Sequence, residues 1–419
     1  MSQESKPPLH ELPDLPLVRH AGHKTRSGRA IVDRSEIVTD AKSEGPNHFT
    51  GPTFRNQRQR FRFDGHKLIY HLDRLEAWQR GERIAPIHID MGLTKFCNTA
   101  CIYCYGVVQK MERGTMIAGD ALLRFVEDCG AIGVRSLGFI GDGEPTLNPA
   151  LAEATALAAS LGVDTAMATN GLKIDPAVMP QLLRDMSWIR VNLSAGDATG
   201  FQRVHQSHSR NFDQVVDNVR ELVRLRNLYG YACTIGLQMV LVPECYDQII
   251  KEAELGAALG VDYFVIKHCS DSEYGELGVN YEDFLSVSEL LREAESLSND
   301  NYVVQAKWHK INSAGESDLY KAGFRKYDVC YGTPFLLQIS GNGKVYPCGP
   351  FFNKDRFLIG DLHTGSFREM VASDHYWRVH QDIVNSVDVH KDCAMGCRQD
   401  YLNRFLWDLK NPPEHLNFI

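Results

Sequence analysis

The sequence predicts an α/β protein with a parallel sheet and a small cysteine-bearing C-terminal domain, and three observations carry that reading. From Pro86 onward, short apolar runs alternate with stretches of helical period, the pattern of successive βα units. A chain of 419 residues with 43% hydrophobic content can bury a large core and is too long for one small domain. The final segment is polar and turn-rich, yet it holds Cys330, Cys348, Cys393 and Cys397.

Taken in order, residues 1–85 read as an N-terminal extension. Up to about residue 60 they are rich in Pro, Ser, Asp, Arg and Gly with little periodicity, which predicts an extended, partly disordered lead-in. The basic run Arg55 to Lys67 interleaves arginine with Phe61 and Phe63, a pattern that can grip RNA but more commonly marks an edge strand or solvated face. One amphipathic helix follows, roughly Ile69 to Gln79. Residues 86–300 supply strands at Ile87 to Leu93, Ser136 to Ile140, Thr165 to Thr169, Trp188 to Ser194, Thr234 to Val242 and Tyr263 to His268. Helices are expected at Gly119 to Ala131, Pro149 to Leu161, Pro176 to Asp185, Phe212 to Tyr229, Asp247 to Leu259 and Tyr281 to Leu297. In residues 301–419, S-G-N-G-K-V is an Asn-Gly hairpin signal between Phe335 to Ile339 and Lys344 to Tyr346.

Charge and cysteine usage narrow the function. A formal net charge of −8 and a pI near 6.1 give no global positive field, so neither nucleic acid nor a lipid surface is an expected partner. The eleven cysteines are odd in number, and several lie inside apolar periodic segments, which is reduced-compartment usage. The N-terminus lacks a signal-peptide core and no stretch is apolar enough to span a bilayer, so a cytoplasmic enzyme is expected. Cys129 and Cys233 read as small core hydrophobes.

Just past the first strand stands K-F-C-N-T-A-C-I-Y-C-Y-G, a C-x3-C-x2-C triplet of Cys97, Cys101 and Cys104. Three thiolates at this spacing can hold three corners of an iron-sulfur cube and leave one iron for a ligand that is not protein. A zinc site completed by a distant histidine is the competing reading, although zinc hooks usually come as paired C-x2-C or C-x4-C. The position is apt, because in βα barrels the chemistry sits at the C-terminal ends of the strands. Other strand ends carry Asp142-Gly143-Glu144-Pro145, Thr169-Asn170-Gly171, Val191-Asn192-Leu193-Ser194 and, in T-I-G-L-Q-M-V-L-V-P-E, Gln238.

Together the triplet, with Tyr103 before its last cysteine, and the Asp142 to Pro145 run resemble the radical S-adenosylmethionine (SAM) superfamily; Asp142 replaces the first glycine of that family's Gly-Gly-Glu-Pro motif. The resemblance implies a partial (β/α)6 TIM-like barrel. It implies a [4Fe-4S] cluster whose open iron is chelated by S-adenosyl-L-methionine, cleaved to a 5'-deoxyadenosyl radical that takes a hydrogen atom from substrate. It also implies an electron donor such as flavodoxin or ferredoxin. Tyr103, Asp142, Gly143, Glu144, Asn170, Ser194 and Gln238 become candidates for binding the cofactor, although Asn170, Ser194 and Gln238 read equally well as turn or sheet-end residues.

The C-x12-G-x4-C arrangement of Cys330, Gly343 and Cys348, closed by Cys393-x3-Cys397, resembles the SPASM auxiliary-cluster domain. The C-x2-C-x5 portion of a full SPASM domain is missing, which suits the shortened Twitch form with a second [4Fe-4S] cluster held by four cysteines, as in an aminocyclitol dehydrogenase of that family. A four-cysteine zinc ribbon is the alternative. A fully ligated auxiliary cluster points to electron transfer, hence oxidation of an alcohol of a small-molecule substrate such as a sugar, amino sugar or cyclitol. Epimerisation needs a thiol that returns hydrogen, for which Cys245 and Cys269 are candidates; Lys267 and His268 are candidates for substrate contact or proton removal. Peptide modification ranks behind a small substrate, because residues 1–85 do not read as a winged-helix peptide-recognition fold. A non-catalytic metal-binding scaffold is the remaining alternative.

Overall fold

The computed structural model describes residues 66–104, 114–271, 276–280, 283–308, 311, 325–393 and 397–417. Residues 55–65 of the basic run, and the lead-in before it, lie outside these described residues.

One ten-stranded sheet organises the chain. Strands β1 (His88–Met91), β2 (Ser136–Phe139), β3 (Asp164–Thr169), β4 (Met186–Asn192), β5 (Thr234–Leu241) and β6 (Tyr263–His268) lie in sequence order, all parallel, and each falls within two residues of its expected bounds. The parallel order continues into β7 (Val303–Ala306), beyond the six strands expected from sequence. On the other side of β1, β8 (Leu336–Ile339) pairs in parallel and turns back into β9 (Lys344–Tyr346) and β10 (Gly360–Asp361), both antiparallel. The predicted hairpin therefore does not form a separate sheet: it extends the barrel sheet past its first strand.

Helices cover the outer face. They are α1 (Leu72–Gln79), α2 (Gly119–Ile132), α3 (Leu151–Ser160), α4 (Met179–Asp185), α5 (Ala198–His205), α6 (Arg210–Tyr229), α7 (Ile249–Leu259), α8 (Asp283–Ser286) and α9 (Ser288–Ser296), then α10 (Phe367–Ala372), α11 (Asp374–Ser386) and α12 (Asp400–Lys410). The helix expected from Tyr281 to Leu297 is thus split at Val287, where the backbone leaves helical geometry. Alternate strand residues such as Ile89, Met91, Leu137, Phe139, Leu237 and Phe264 join the helices in one continuous core. The opposite residues line the inside of a partial barrel, where Tyr263, Val265 and Val303 form their own small cluster.

The amphipathic lead-in helix docks on the C-terminal domain. Trp78 of α1 meets Tyr331 and Phe335 edge-on at centroid distances of 5.9 and 5.5 Å, and Leu75, Ile84, Val329 and Leu406 close the same cluster. No helix among the described residues is long and apolar enough to cross a membrane.

Candidate active site

The triplet loop leaves the C-terminal end of β1, as the barrel rule requires. Its backbone is pinned from two sides. Ala100 and Ile102 donate N–H bonds of 3.1 and 3.0 Å to the carbonyls of His205 and Val204 at the end of α5, while Glu144 N–H donates to Phe96 O at 2.8 Å. The helix that holds it starts on Asp197, whose carboxylate accepts from Gly200 N–H at 2.8 Å. Gly143 is required where it stands, because a Cβ there would overlap the carbonyl oxygens of Thr94 and Phe96.

Around the thiols the structure gathers polar groups that the motif did not announce. Thr99 Oγ1 stands 3.4 Å from Cys97 Sγ and 3.5 Å from Cys101 Sγ, and Asn170 Nδ2 lies 3.9 Å from Cys97 Sγ. His205, 104 residues beyond Cys101, places Nδ1 3.1 Å from that sulfur. Its ring stacks on Phe201 at 4.6 Å and its Nε2 bonds Leu193 O, so burial lowers its pKa to about 4 and keeps it neutral near pH 7. Burial raises the Cys97 and Cys101 thiols. Three soft ligands from one loop, with hydroxyl and amide donors to the sulfurs, suit a three-cysteine iron-sulfur cluster.

The motif carboxylates turn out to be heavily committed. Glu144 is buried; one carboxylate oxygen accepts from Thr146 Oγ1 at 2.8 Å and Thr169 Oγ1 at 2.5 Å, the other from Asn170 N–H at 2.8 Å. Burial pushes its pKa up, against these bonds. Asp142 instead reaches across to the β8–β9 turn, accepting from Ser340 Oγ at 2.6 Å and Gly341 N–H at 2.9 Å. Asn170 donates to Asn98 Oδ1 at 2.6 Å and so ties the β3 loop to the triplet.

At the end of β4, Ser194 adopts left-handed φ of 47°, accepts from Val240 N–H at 3.0 Å and donates to Tyr103 OH at 3.3 Å. Ser194 thereby locks Tyr103 of the triplet loop. Gln238 donates to Asn192 Oδ1 at 2.8 Å on the inner face. Lys267 shares the inner face of β6 with Tyr263 and Val265, whereas His268 turns outward, stacks on Phe284 at 5.7 Å and bonds Cys269 O through Nδ1 at 2.7 Å. Cys245 is fully buried and its thiol donates to Val242 O at 3.1 Å. Cys269 is also buried, within electrostatic reach of Cys104. Burial pushes both thiols up to about 12, so both remain S–H near neutrality. Cys129 and Cys233 are core residues, as expected.

Cys330, Cys348, Cys393 and Cys397 come together at the other end of the sheet. Burial, then the proximity of Cys397, Cys330 and Cys393, pushes the Cys348 thiol well above its usual value. Asn403 of α12 donates to Cys330 Sγ at 3.3 Å and accepts from Gly332 N–H at 2.7 Å, and Tyr327 OH stands 3.8 Å from Cys397 Sγ. Among the described residues, no three His, Cys, Asp or Glu groups close up as a single-ion site. The fit to a cluster rests on the donor set: four soft thiols with N–H and O–H donors aimed at them. Directly after Cys397, the half-exposed Arg398 reaches the buried Asp90 and donates to its Oδ2 at 2.7 Å, while His88 Nε2 lies 2.8 Å from Asp90 Oδ1. Burial opposes ionisation of Asp90, but Arg398 and His88 outweigh it and hold the carboxyl below the usual range.

Comparison with known proteins agrees with this geometry. Residues 91–256 match the family model of the radical SAM superfamily, and residues 330–398 match that of SPASM, an iron-sulfur cluster-binding domain. The chain is 23% identical to the AdoMet-dependent heme synthase of Methanosarcina barkeri over 75% of its own length and 91% of that protein. It is 23% identical to the mycofactocin maturase MftC of Mycobacterium tuberculosis, over 77% and 81% of the two chains. A nucleotide dehydratase of Flammeovirga pacifica is 27% identical, but the match covers 37% of this chain and 54% of that one. Among solved structures, Streptococcus suis SuiB bound to S-adenosylmethionine superposes with a TM-score of 0.56 at 16% identity, covering 78% of this chain and 77% of SuiB. SuiB bound to precursor peptide SuiA gives 0.57 at 14% identity, with coverage of 87% and 82%. At these identities the likeness is one of fold.

Proposed function

Because the chain is a radical S-adenosylmethionine enzyme with a SPASM auxiliary domain, we propose that it oxidises an alcohol of a small polar substrate, such as a sugar, amino sugar or cyclitol, inside the partial barrel. The observation that carries this reading is the placement of Arg398. It follows Cys397 in sequence and pairs with Asp90 on the inner face of β1, so the four-thiol site stands against the wall of the cavity in which a substrate would lie. When bound, the cofactors of the family supply a hydrogen-atom acceptor at the barrel mouth and an electron acceptor at its wall.

The remaining work falls to the chain. Cys97, Cys101 and Cys104 hold one cluster, and Asn170 and Thr99 orient its sulfurs; Cys330, Cys348, Cys393 and Cys397 hold the other. The Gln238–Asn192 pair offers hydroxyl recognition on the inner face. Lys267, at the mouth end of β6, is the candidate for contact with the substrate hydroxyl, whose proton passes to water. Electron entry is proposed beside the exposed Cys97, where a cleft of about 690 Å³ is lined by Asn98, Lys173, Asp175 and Arg210 and so offers a net positive charge of one to an acidic reductant.

Peptide modification is the second reading, favoured by the similarity to MftC and SuiB. Both readings are tested by anaerobic reconstitution with a strong reductant and S-adenosylmethionine. Formation of 5'-deoxyadenosine, together with a sugar or cyclitol product two hydrogens lighter and free of solvent deuterium, is the expected outcome. Absence of 5'-deoxyadenosine from a fully loaded enzyme would sink the proposal; deuterium on carbon would move it to epimerisation, with Cys269 the first thiol to replace.

A further inference from the structure

On the inner face of the barrel stands a guanidinium that has no counter-ion among the described residues. Arg190 lies on the inner face of β4, between Ala168 on β3 and Gly236 on β5. Ala168 is short, and over Gly236 lies the Tyr263 ring, which leaves no room for a side chain there. The Arg190 guanidinium packs over the Trp188 ring at 5.2 Å, which leaves its edge directed away from that face. Its Nε is buried with no hydrogen-bond partner, and among the described residues Arg190 makes no ion pair. The nearby carboxylate, Asp90, is already committed on both oxygens to His88 and Arg398.

Arg398 is answered by Asp90 and stands beside the Cys397 and Cys348 thiols, whereas Arg190 makes no ion pair among the described residues. Burying part of a cation in this way is unfavourable unless an anion answers it, and a guanidinium fork matches an oxyanion with two parallel bonds. The group that answers it must also enter from the barrel mouth. Arg190 precedes Ser194 at the mouth by four residues, about 13 Å along a strand. That depth puts it below the triplet loop, where a substrate would lie rather than S-adenosylmethionine.

We propose that Arg190 is a specificity residue that binds an oxyanion of the substrate, a carboxylate or a phosphate. This rests on the barrel interior being the substrate cavity and narrows the substrate class to anionic small molecules, for example a sugar phosphate or a sugar acid. Trp188 braces the guanidinium from below, and Tyr263 bounds the space beside it.

The test uses holoenzyme with both clusters loaded and S-adenosylmethionine at saturation, so that the cofactor's own carboxylate is satisfied. Calorimetric titration with inorganic phosphate and, separately, with malonate distinguishes a tetrahedral from a planar oxyanion. Saturable binding of one probe is expected, weakened roughly tenfold or more in Arg190→Gln and partly regained in Arg190→Lys. Equal affinity in wild type and Arg190→Gln, or no saturable binding of either probe by wild type, overturns the proposal. If Arg190→Gln does not fold, phenylglyoxal labelling of wild type replaces it: the bound probe should slow modification of Arg190, and unchanged labelling overturns the proposal equally. Formation of 5'-deoxyadenosine by wild type is measured in parallel. Its absence removes the oxidation reading, whereas its presence with no anion binding removes only the role of Arg190.

Discussion

The two thiol sites are built in opposite ways. Cys97, Cys101 and Cys104 come from one short loop, and the fold's contribution is to fasten that loop through Glu144, Asn170 and His205. Cys330, Cys348, Cys393 and Cys397 are drawn from three separated segments and meet only because β8 and β9 extend the barrel sheet and α12 closes over them. A site of the first kind survives distant damage; a site of the second kind is as stable as the packing that assembles it.

The sharpest break of that comparison is replacement of Cys97, Cys101 and Cys104 by alanine together. Cleavage of S-adenosylmethionine should vanish, while about half of the iron and its visible absorption remain in the four-cysteine site. Loss of all iron would show that the second site depends on the first, and retained zinc without iron would remove the electron acceptor.

Next in size is Arg398→Leu, which leaves Asp90 buried without its guanidinium partner. Because Asp90 is buried but the guanidinium is half exposed and His88 remains beside the carboxylate, the loss should be about 1–3 kcal/mol, read as a lower unfolding midpoint of the anaerobic holoenzyme. The pH sign follows from Asp90. Its carboxyl is held below the usual range, so the stability it contributes is present above about pH 4, the unfolded carboxylate value, and is lost as pH falls further. The variant should therefore differ most from wild type near neutrality and least in acid, and a difference that grows on acidification would contradict the assignment.

A comparable effect is expected at Asn403→Leu. The change strands Gly332 N–H and removes the donor to Cys330, for about 1–3 kcal/mol. It should also lower the reduction potential of the auxiliary cluster without moving that of the barrel cluster, because only the former loses a hydrogen bond to sulfur. Equal shifts in both potentials would mean that the two sites do not respond separately.

The same contrast explains what was legible in the sequence. The six strands and the triplet were readable because hydrophobic period and local spacing are properties of neighbouring residues, and Ser340 to Gly343 announced its hairpin through turn chemistry. His205 was invisible: it ends a short helix with few apolar positions and reaches Cys101 only through the fold. Arg190 read as an ordinary strand residue, because nothing local shows which face of β4 looks into the barrel or that its neighbour across the sheet is Gly236. Ser194 was noticed for a hydroxyl at a strand end, but the structure uses that hydroxyl on Tyr103 and Val240.

Asp142 joins the two regions, and the smallest of these changes tests whether the junction matters. The family motif resembled here has glycine at this place, so Asp142→Gly restores the common pattern while removing the carboxylate that holds Ser340 and Gly341. Burial raises the Asp142 pKa, which partly offsets the gain from those two bonds, so the net loss should be only about 1 kcal/mol. Gly143, which makes room for the triplet loop, is untouched. Iron content and 5'-deoxyadenosine formation should therefore hold, while hydrogen exchange at the β8–β9 turn accelerates and that at the triplet loop does not. If exchange rises equally at both places, Asp142 supports the cofactor loop itself and is more than a tie between the two domains.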